Sequence, residues 1–284
     1  MYNKVMELLR VGHSPDPDDA FMYYALAKGK VTVEGYRLQQ VLEDIQSLNQ
    51  RALVGELEVT AISAAAYPQV FQHYRILACG ASVGRNYGPI VVSTTPLVPA
   101  QLEGKRIGIP GELTTAYLLL RIYLQHSIVP VVMPFDAIVD AVCQGKVDAG
   151  VIIHEGQITW KQQGLFNVLD LGVEWNADTG LPIPLGLDMV HRRLGPEGGA
   201  RVGQALKASV YYALTHEDDA IDYALDYGRG IDKETCRTFV GMYVNQDTLD
   251  MGVEGKRALE TLYTRAQERG LIETVPPLDI VELD

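Results

Sequence analysis

The sequence predicts an α/β protein built as two lobes, and three observations carry that prediction. Short apolar runs rich in β-branched residues alternate with helical patterns, as in βαβ units whose mostly parallel sheets are faced by helices. The alternation occurs twice, once before Ser93 and again between Arg106 and Leu187. After Arg192 only helical patterns follow, as for a chain that returns to cover what it has already built.

In the first block Leu8–Val11, Tyr36–Val41, Val59–Ile62, Ile76–Ala78 and Ile90–Ser93 read as strands. Ala20–Ala27, Ile45–Val54 and Ala64–Phe71 read as helices, the last in spite of Pro68. In the second block Arg106–Ile109, Val129–Met133 and Val168–Leu171 are strands, and Thr115–Leu124 is a strongly apolar helix. Phe135, Ile138, Val139, Val142 and Cys143 share one helix face, which places Cys143 in the core. Gly145 stops that helix, and Ala149–Ile153 is an apolar strand covered on both faces. Leu181–Leu187 is extended and interrupted by Pro and Gly. The return consists of helices over Ala200–Thr215, Asp218–Tyr227, Lys233–Tyr243 and Glu254–Arg269, and the tail from Thr274 is a surface strand or loop. The chain is expected to cross between lobes near Val92–Pro96 and Ile183–Asp188. Residues 1–92 and 188–284 then form a larger, discontinuous lobe and 93–187 a smaller one, with the ligand cleft between them.

The chain has 284 residues, and its 36 acidic against 24 basic side chains give a net charge of −12. That sign argues against non-specific binding to nucleic acid or an acidic membrane. A hydrophobic share of 47% allows a sizeable core. Cys79, Cys143 and Cys236 are odd in number and lack metal-ligand spacing, which favours a reducing compartment over a disulfide framework. Met1–Gly12 lacks the apolar core of a signal peptide, and no run is apolar for long enough to span a membrane. A cytoplasmic protein is expected. The sequence leaves open whether it is a monomer or a homodimer.

Candidate site residues cluster where strands run out, the place where open α/β sheets bind ligands. His154 and Glu155 follow the strand Ala149–Ile153, so His154 is either a general base or a histidine satisfied by a backbone carbonyl. Thr114 and Thr115 end the turn Gly108-Ile109-Pro110-Gly111-Glu112-Leu113 and open a helix. They either present hydroxyls and free N–H groups to an anion or simply cap the helix. Ser63 occupies the same strand-to-helix position and has the same two readings. His13-Ser14-Pro15-Asp16-Pro17-Asp18-Asp19 follows the first strand, with His13 and Ser14 placed to face the cleft. Its aspartates suit capping of the next helix better than the spacing of a calcium loop. Arg85, near the crossing, is either a bidentate carboxylate binder or a solvated loop residue. No zinc spacing, Ser-His-Asp order, P-loop or Rossmann fingerprint occurs.

Taken in order, several segments are similar to one family: Ser14-Pro15-x-Pro17-x-Asp19, Val41-Leu42-Glu43-Asp44, Ser63 to Tyr67, and Gly84-Arg85 with Gly88-Pro89. Thr114-Thr115-Ala116-Tyr117, Gly150-Val151-Ile152-Ile153-His154-Glu155, Thr179-Gly180-Leu181-Pro182 and Tyr243-Val244-Asn245 continue the series. The chain resembles the 1,4-dihydroxy-6-naphthoate synthases of the futalosine route to menaquinone over nearly its whole length. The resemblance implies a two-lobed type II periplasmic-binding-protein-like fold, with mixed sheets flanked by helices and a helical C-terminal return. It implies a carbon–carbon lyase that converts cyclic dehypoxanthinyl futalosine to 1,4-dihydroxy-6-naphthoate and releases dihydroxyacetone, with no metal or organic cofactor. His154 matches the family's proton acceptor, and Ser63, Thr114 and Thr115 match positions that bind the anionic substrate. Ser14, Ala61 and Ile62 join these as expected substrate contacts, and Arg85 is expected to face the substrate carboxylate. The family's first loop typically reads Ser-Pro-Cys-Pro-Asn-Asp where this chain carries Asp16 and Asp18, and it often has a lysine at the position of Ala61. The rival readings are a solute-binding protein of a transport system and a relative such as chorismate dehydratase acting on another small anion.

Overall fold

The computed structural model describes residues 6–283; residues 1–5, which belong to the leader reading, and residue 284 lie outside the described residues. The chain opens with β1 (Glu7–His13), α1 (Pro17–Ala27), β2 (Tyr36–Leu42), α2 (Ile45–Leu53), β3 (Val59–Ser63), α3 (Tyr67–Val70), β4 (Tyr74–Leu77) and β5 (Ser82–Gly84). It continues with β6 (Ile90–Ser93), β7 (Arg106–Ile109), α4 (Thr115–Tyr123), β8 (Val129–Val132), α5 (Ile138–Cys143), β9 (Ala149–Ile152), α6 (Gly156–Thr159), β10 (Phe166–Asp170) and α7 (Leu171–Thr179). It returns through β11 (Ile183–His191), α8 (Gly195–Thr215), α9 (Glu217–Leu225), α10 (Lys233–Tyr243), α11 (Gln246–Leu249), α12 (Gly252–Glu268) and β12 (Ile280–Val281).

The strands form two mixed sheets. The first runs β12-β4-β11-β3-β1-β2, with β5 also paired to β11, and the second runs β10-β6-β9-β7-β8. In the first, β1 pairs in parallel with β2 and β3, while β11 is antiparallel to β3, β4 and β5. In the second, β7 is parallel to β8 and β9, while β6 is antiparallel to β9 and β10. The carboxyl ends of β1, β3, β7 and β9 all open on the space between the sheets, which sets the position of the site. The lobe borders read from sequence, 92/93 and 187/188, fall inside β6 and β11. β6 belongs wholly to the second sheet and β11 to the first, so the crossings lie at residues 85–89 and 180–182. An apolar run does not reveal which sheet it joins, because its hydrogen-bond partners lie far away in sequence.

Local chemistry explains the element starts. Asp16 caps α1 by accepting from Asp19 N, and Pro17 fits the first turn, where a missing N–H costs nothing. Asp44 and Asp170 cap α2 and α7 in the same way. Pro68 is tolerated because the Ala64–Phe71 segment is a 3-10 turn over Ala64–Ala66 followed by a new helix, with Pro68 in its first turn. α1 is buried along Pro17–Leu26 because α8, α9 and α10 all pack against it. One apolar cluster joins the lobes, running from Ile62, Tyr67 and Tyr74 through Ile107 and Leu119 to Trp175 and Tyr263.

One expectation about the core is corrected, and one helix was not foreseen. Cys143 is exposed, since α5 ends there and turns Ile138, Ala141 and Val142 inward instead. α7 was missed because it buries only Leu171, Gly172 and Trp175 and so lacks a continuous apolar stripe. Among the described residues no helix is long and apolar enough to cross a membrane.

Candidate active site

A cleft with about 700 Å³ of empty space, its open mouth included, lies between the two sheets. Strand ends supply its walls: Ser14 and Asp16 after β1, Ala61–Ser63 on β3, Thr114–Ala116 after β7, and Ile153–His154 after β9. β11 contributes Leu185–Leu187, and α10 closes one side with Phe239 and Tyr243.

His154 is held in an uncommon state. Its backbone lies in the left-handed region at φ 56°, which costs a β-carbon-bearing residue ~1 kcal/mol or more and aims the side chain off the strand axis. The ring packs against Phe135 at 4.3 Å between centroids. Nδ1 lies 3.2 Å from Asp16 Oδ2, and Nε2 is buried with no hydrogen-bond partner. A buried, unpaired ring nitrogen on a cavity wall is a group waiting for a ligand proton.

The loop that brings Asp16 places three carboxyls in the wall, Asp16, Asp18 and Asp19. Burial and the neighbouring Asp16 and Asp19 push Asp18 well above the ordinary carboxylate range. Burial, Asp16 and Asp188 do the same to Asp19, whose Oδ2 accepts from Ser14 N at 2.7 Å. Burial works against ionised Asp16 too, but the facing His154 and local hydrogen bonds bring its pKa below its ordinary value. The loop's negative charge therefore sits at Asp16, opposite the imidazole. Asp16, Asp18 and His154 each bring a donor atom within 4.8 Å of the others, a spacing that suits a cation. Asp16 is already committed, one oxygen to the α1 cap and the other to His154, so we assign no ion to the cluster.

The serine and threonines are held by specific partners. Asn49 on α2 grips Ser63 twice, accepting from Ser63 N at 2.8 Å and donating to Ser63 Oγ at 3.0 Å. Thr114 caps α4, accepting from Tyr117 N at 3.3 Å and donating to Gly111 O at 2.7 Å. Thr115 Oγ1 donates to Leu185 O at 2.7 Å and accepts from Ala65 N at 3.1 Å. Both threonine hydroxyls are thus occupied, and what α4 offers an anion is the free N–H groups of its first turn at Thr115 and Ala116. Ser14 Oγ is buried and unpartnered.

The family described as menaquinone biosynthesis matches residues 9–268. The chain belongs to this menaquinone-biosynthesis family. It is 45% identical over 272 residues to the 1,4-dihydroxy-6-naphthoate synthase of Thermus thermophilus, covering 95% of this chain and 98% of that one. It is 37% identical over 276 residues to the enzyme of the same name from Streptomyces coelicolor, covering 95% of this chain and 97% of that one. A crystal structure of an Archaeoglobus fulgidus protein superposes with a TM-score of 0.90 at 45% identity, covering 96% of this chain and all of that one. The alkanesulfonate-binding protein SsuA of Xanthomonas axonopodis, bound to MOPS, superposes with a TM-score of 0.71 at 15% identity, covering 96% of each chain. That likeness shows the periplasmic-binding-protein fold alone.

In this family member, Ser14, Ala61, Ile62, Ser63, Thr114, Thr115 and His154 all line the cavity. Arg85 does not. Its guanidinium is bidentate to Asp247 at 2.8 Å and reaches Glu254 at 2.6 Å, so it pins α11 and α12 on a half-exposed surface. The expectation that Arg85 faces the substrate carboxylate is corrected accordingly. His13 also turns away, stacking on Tyr23 at 4.5 Å and meeting Gln40 at 3.2 Å, and burial lowers its pKa to about 4. Sequence reasoning missed Asn49, although a lone amide among the buried residues of α2 was a usable signal. It also missed Gln157, which carries no local signature, and gave no role to Tyr243, although Tyr243-Val244-Asn245 is one of the family segments; the two bond across the cavity wall at 2.7 Å.

Proposed function

We propose that this protein is a 1,4-dihydroxy-6-naphthoate synthase, a carbon–carbon lyase that converts cyclic dehypoxanthinyl futalosine to 1,4-dihydroxy-6-naphthoate and dihydroxyacetone. The observation that carries this reading is the unpartnered, buried Nε2 of His154 on the cavity wall, in a chain so similar to enzymes of that name. Nε2 takes a proton from the sugar-derived part of the substrate, the carbon–carbon bond breaks, and aromatisation of the naphthalene ring drives the step. Ser63 Oγ, the α4 N-terminus and Ser14 Oγ hold the substrate oxygens. Ala61 and Ile62 give the ring system an apolar seat.

The experiment is incubation of purified protein with cyclic dehypoxanthinyl futalosine, with product read by mass spectrometry and His154→Ala run in parallel. The expected result is dihydroxynaphthoate from the unaltered protein and a loss of at least about a hundredfold in the variant, which still folds and binds. A fully active variant would remove His154 as the base. Tight binding without product would favour a solute-binding role.

A further inference from the structure

We propose that Asp16 is a positioning residue for His154: its carboxylate, supplied from the opposite lobe, keeps the proton on Nδ1 and leaves Nε2 free to accept one, so the base is complete only in the closed cleft. The inference rests on the reading of His154 as the base. Asp16 precedes α1 in the first lobe, and His154 follows β9 in the second. They meet at 3.2 Å with side-chain exposures of 2% and 14%.

A cap alone does not explain Asp16. Capping needs one acceptor oxygen, which Asp16 supplies to Asp19 N at 3.3 Å, and asparagine or serine caps as well without burying a charge. An ionised carboxylate out of water is costly unless it is paired. Among the described residues His154 is the basic side chain that faces Asp16. Other groups around the imidazole are neutral or already matched. Asp18 and Asp19 on the same loop are held toward the protonated form, and Phe135 and Phe239 are apolar walls. Glu155, next in the chain, is met by Arg229 at 3.2 Å. On α10, burial raises the Cys236 thiol to about 11 and raises Tyr243 well above its ordinary value, so neither brings charge.

The pair forms across the cleft beside two further ties between the lobes. Arg229 donates to Glu155 and lies 4.5 Å over the Phe135 ring, and Tyr243 donates to Gln157. Opening the lobes would separate Asp16 from the imidazole and give Nε2 and Nδ1 equal claim to the proton. Closing them fixes the tautomer when substrate is enclosed.

The test is Asp16→Asn, which keeps the size of the side chain and its ability to cap α1 while removing the charge. Turnover of cyclic dehypoxanthinyl futalosine is expected to fall about a hundredfold in kcat with KM nearly unchanged. The acid limb of the kcat/KM profile should move to lower pH, as the loss of a facing anion requires. A merely structural role for Asp16 would leave that limb in place. A second measurement needs neither turnover nor a variant. Nitrogen-15 NMR of the unaltered protein, saturated with 1,4-dihydroxy-6-naphthoate, should show neutral His154 protonated on Nδ1. Protonation on Nε2 would overturn the proposal, as would an Asp16→Asn enzyme with unchanged kcat and acid limb. Activity abolished by EDTA and restored by Mn2+ would overturn it too, by making the cluster a cation site. An unaltered protein that makes no product would count against the proposed function instead, and the tautomer measurement would still decide the pair.

Discussion

Buried charges set the behaviour of single residues in this protein. Asp188 on β11 lies beneath the cavity floor, where Tyr23 donates to its Oδ1 at 2.7 Å and its Oδ2 has no partner. Gly80 lies against that oxygen, at a φ of 84°, and a β-carbon there would occupy its place. Burial raises Asp188 to about 7, whereas in the unfolded chain the carboxyl ionises near ~4. Between those values the folded state binds more protons than the unfolded one. The contribution of Asp188 to stability is therefore full below about pH 4, declines as pH rises and is lost above about pH 7. Thermal midpoints at pH 5 and pH 8 should fall less in Asp188→Asn than in the unaltered protein, by the equivalent of roughly 2–4 kcal/mol. Equal falls would mean that another group causes the dependence. At Ser63, Asn49→Ala would remove the acceptor for a buried N–H and free the hydroxyl. It should cost ~1–3 kcal/mol in denaturant unfolding and raise KM. An unchanged KM would mean that Ser63 does not hold substrate.

Close backbone contact decides which substitutions an element tolerates. At the start of α7, Gly172 packs directly on the chain as it crosses between the sheets, and a β-carbon there would overlap the Tyr87–Gly88 backbone. Backbone cannot rotate aside as a side chain can, so Gly172→Ala should cost ~1–3 kcal/mol and lower the thermal midpoint by several degrees. An unchanged midpoint would show that the crossing segment yields easily. Helix α1 and strands β3 and β9 were legible in sequence because their capping residues and apolar runs are local features. α7 and β5 were not. α7 lacks an apolar stripe, and β5 spans only Ser82–Gly84 and exists because β11 runs beside it. The same distinction holds for the site. Ser63, Thr114 and His154 follow strand patterns and were found. The wall formed by Asp16 and Asp18 depends on how α1 docks against α8, α9 and α10, so their role as caps concealed their second role.

At the scale of the whole molecule the structure is a closed clamp. Arg229 with Glu155, Tyr243 with Gln157, Leu113 N with Gln46 Oε1 at 3.1 Å and Arg265 with Asp178 at 3.0 Å join elements of the two lobes. Exposed ion pairs of this kind contribute little each, so closure depends on the buried contacts and on what the cleft encloses. The Tyr243–Gln157 bond is buried, and Tyr243→Phe should raise KM about fivefold, the equivalent of ~1 kcal/mol. Solution scattering should show a smaller radius of gyration with saturating 1,4-dihydroxy-6-naphthoate than without it. Identical curves would mean that the lobes do not move. The apolar cluster running from Ile62 to Trp175 and Tyr263 is continuous across the lobes, which favours hinge motion over separation.

By itself the sequence determined the α/β class, the order of most elements, the strand ends where chemistry collects and the likeness to the menaquinone-biosynthesis family. Those properties come from residues close together in the chain: caps, apolar runs, Gly-Pro turns and short motifs. Tertiary structure alone decided which sheet β6 and β11 join, that Arg85 is consumed by Asp247 and Glu254, and that Asp16 faces His154. Each of these is a pairing between residues more than fifty positions apart. Its partner is chosen by packing and by the burial of charge, which no local stretch of sequence records.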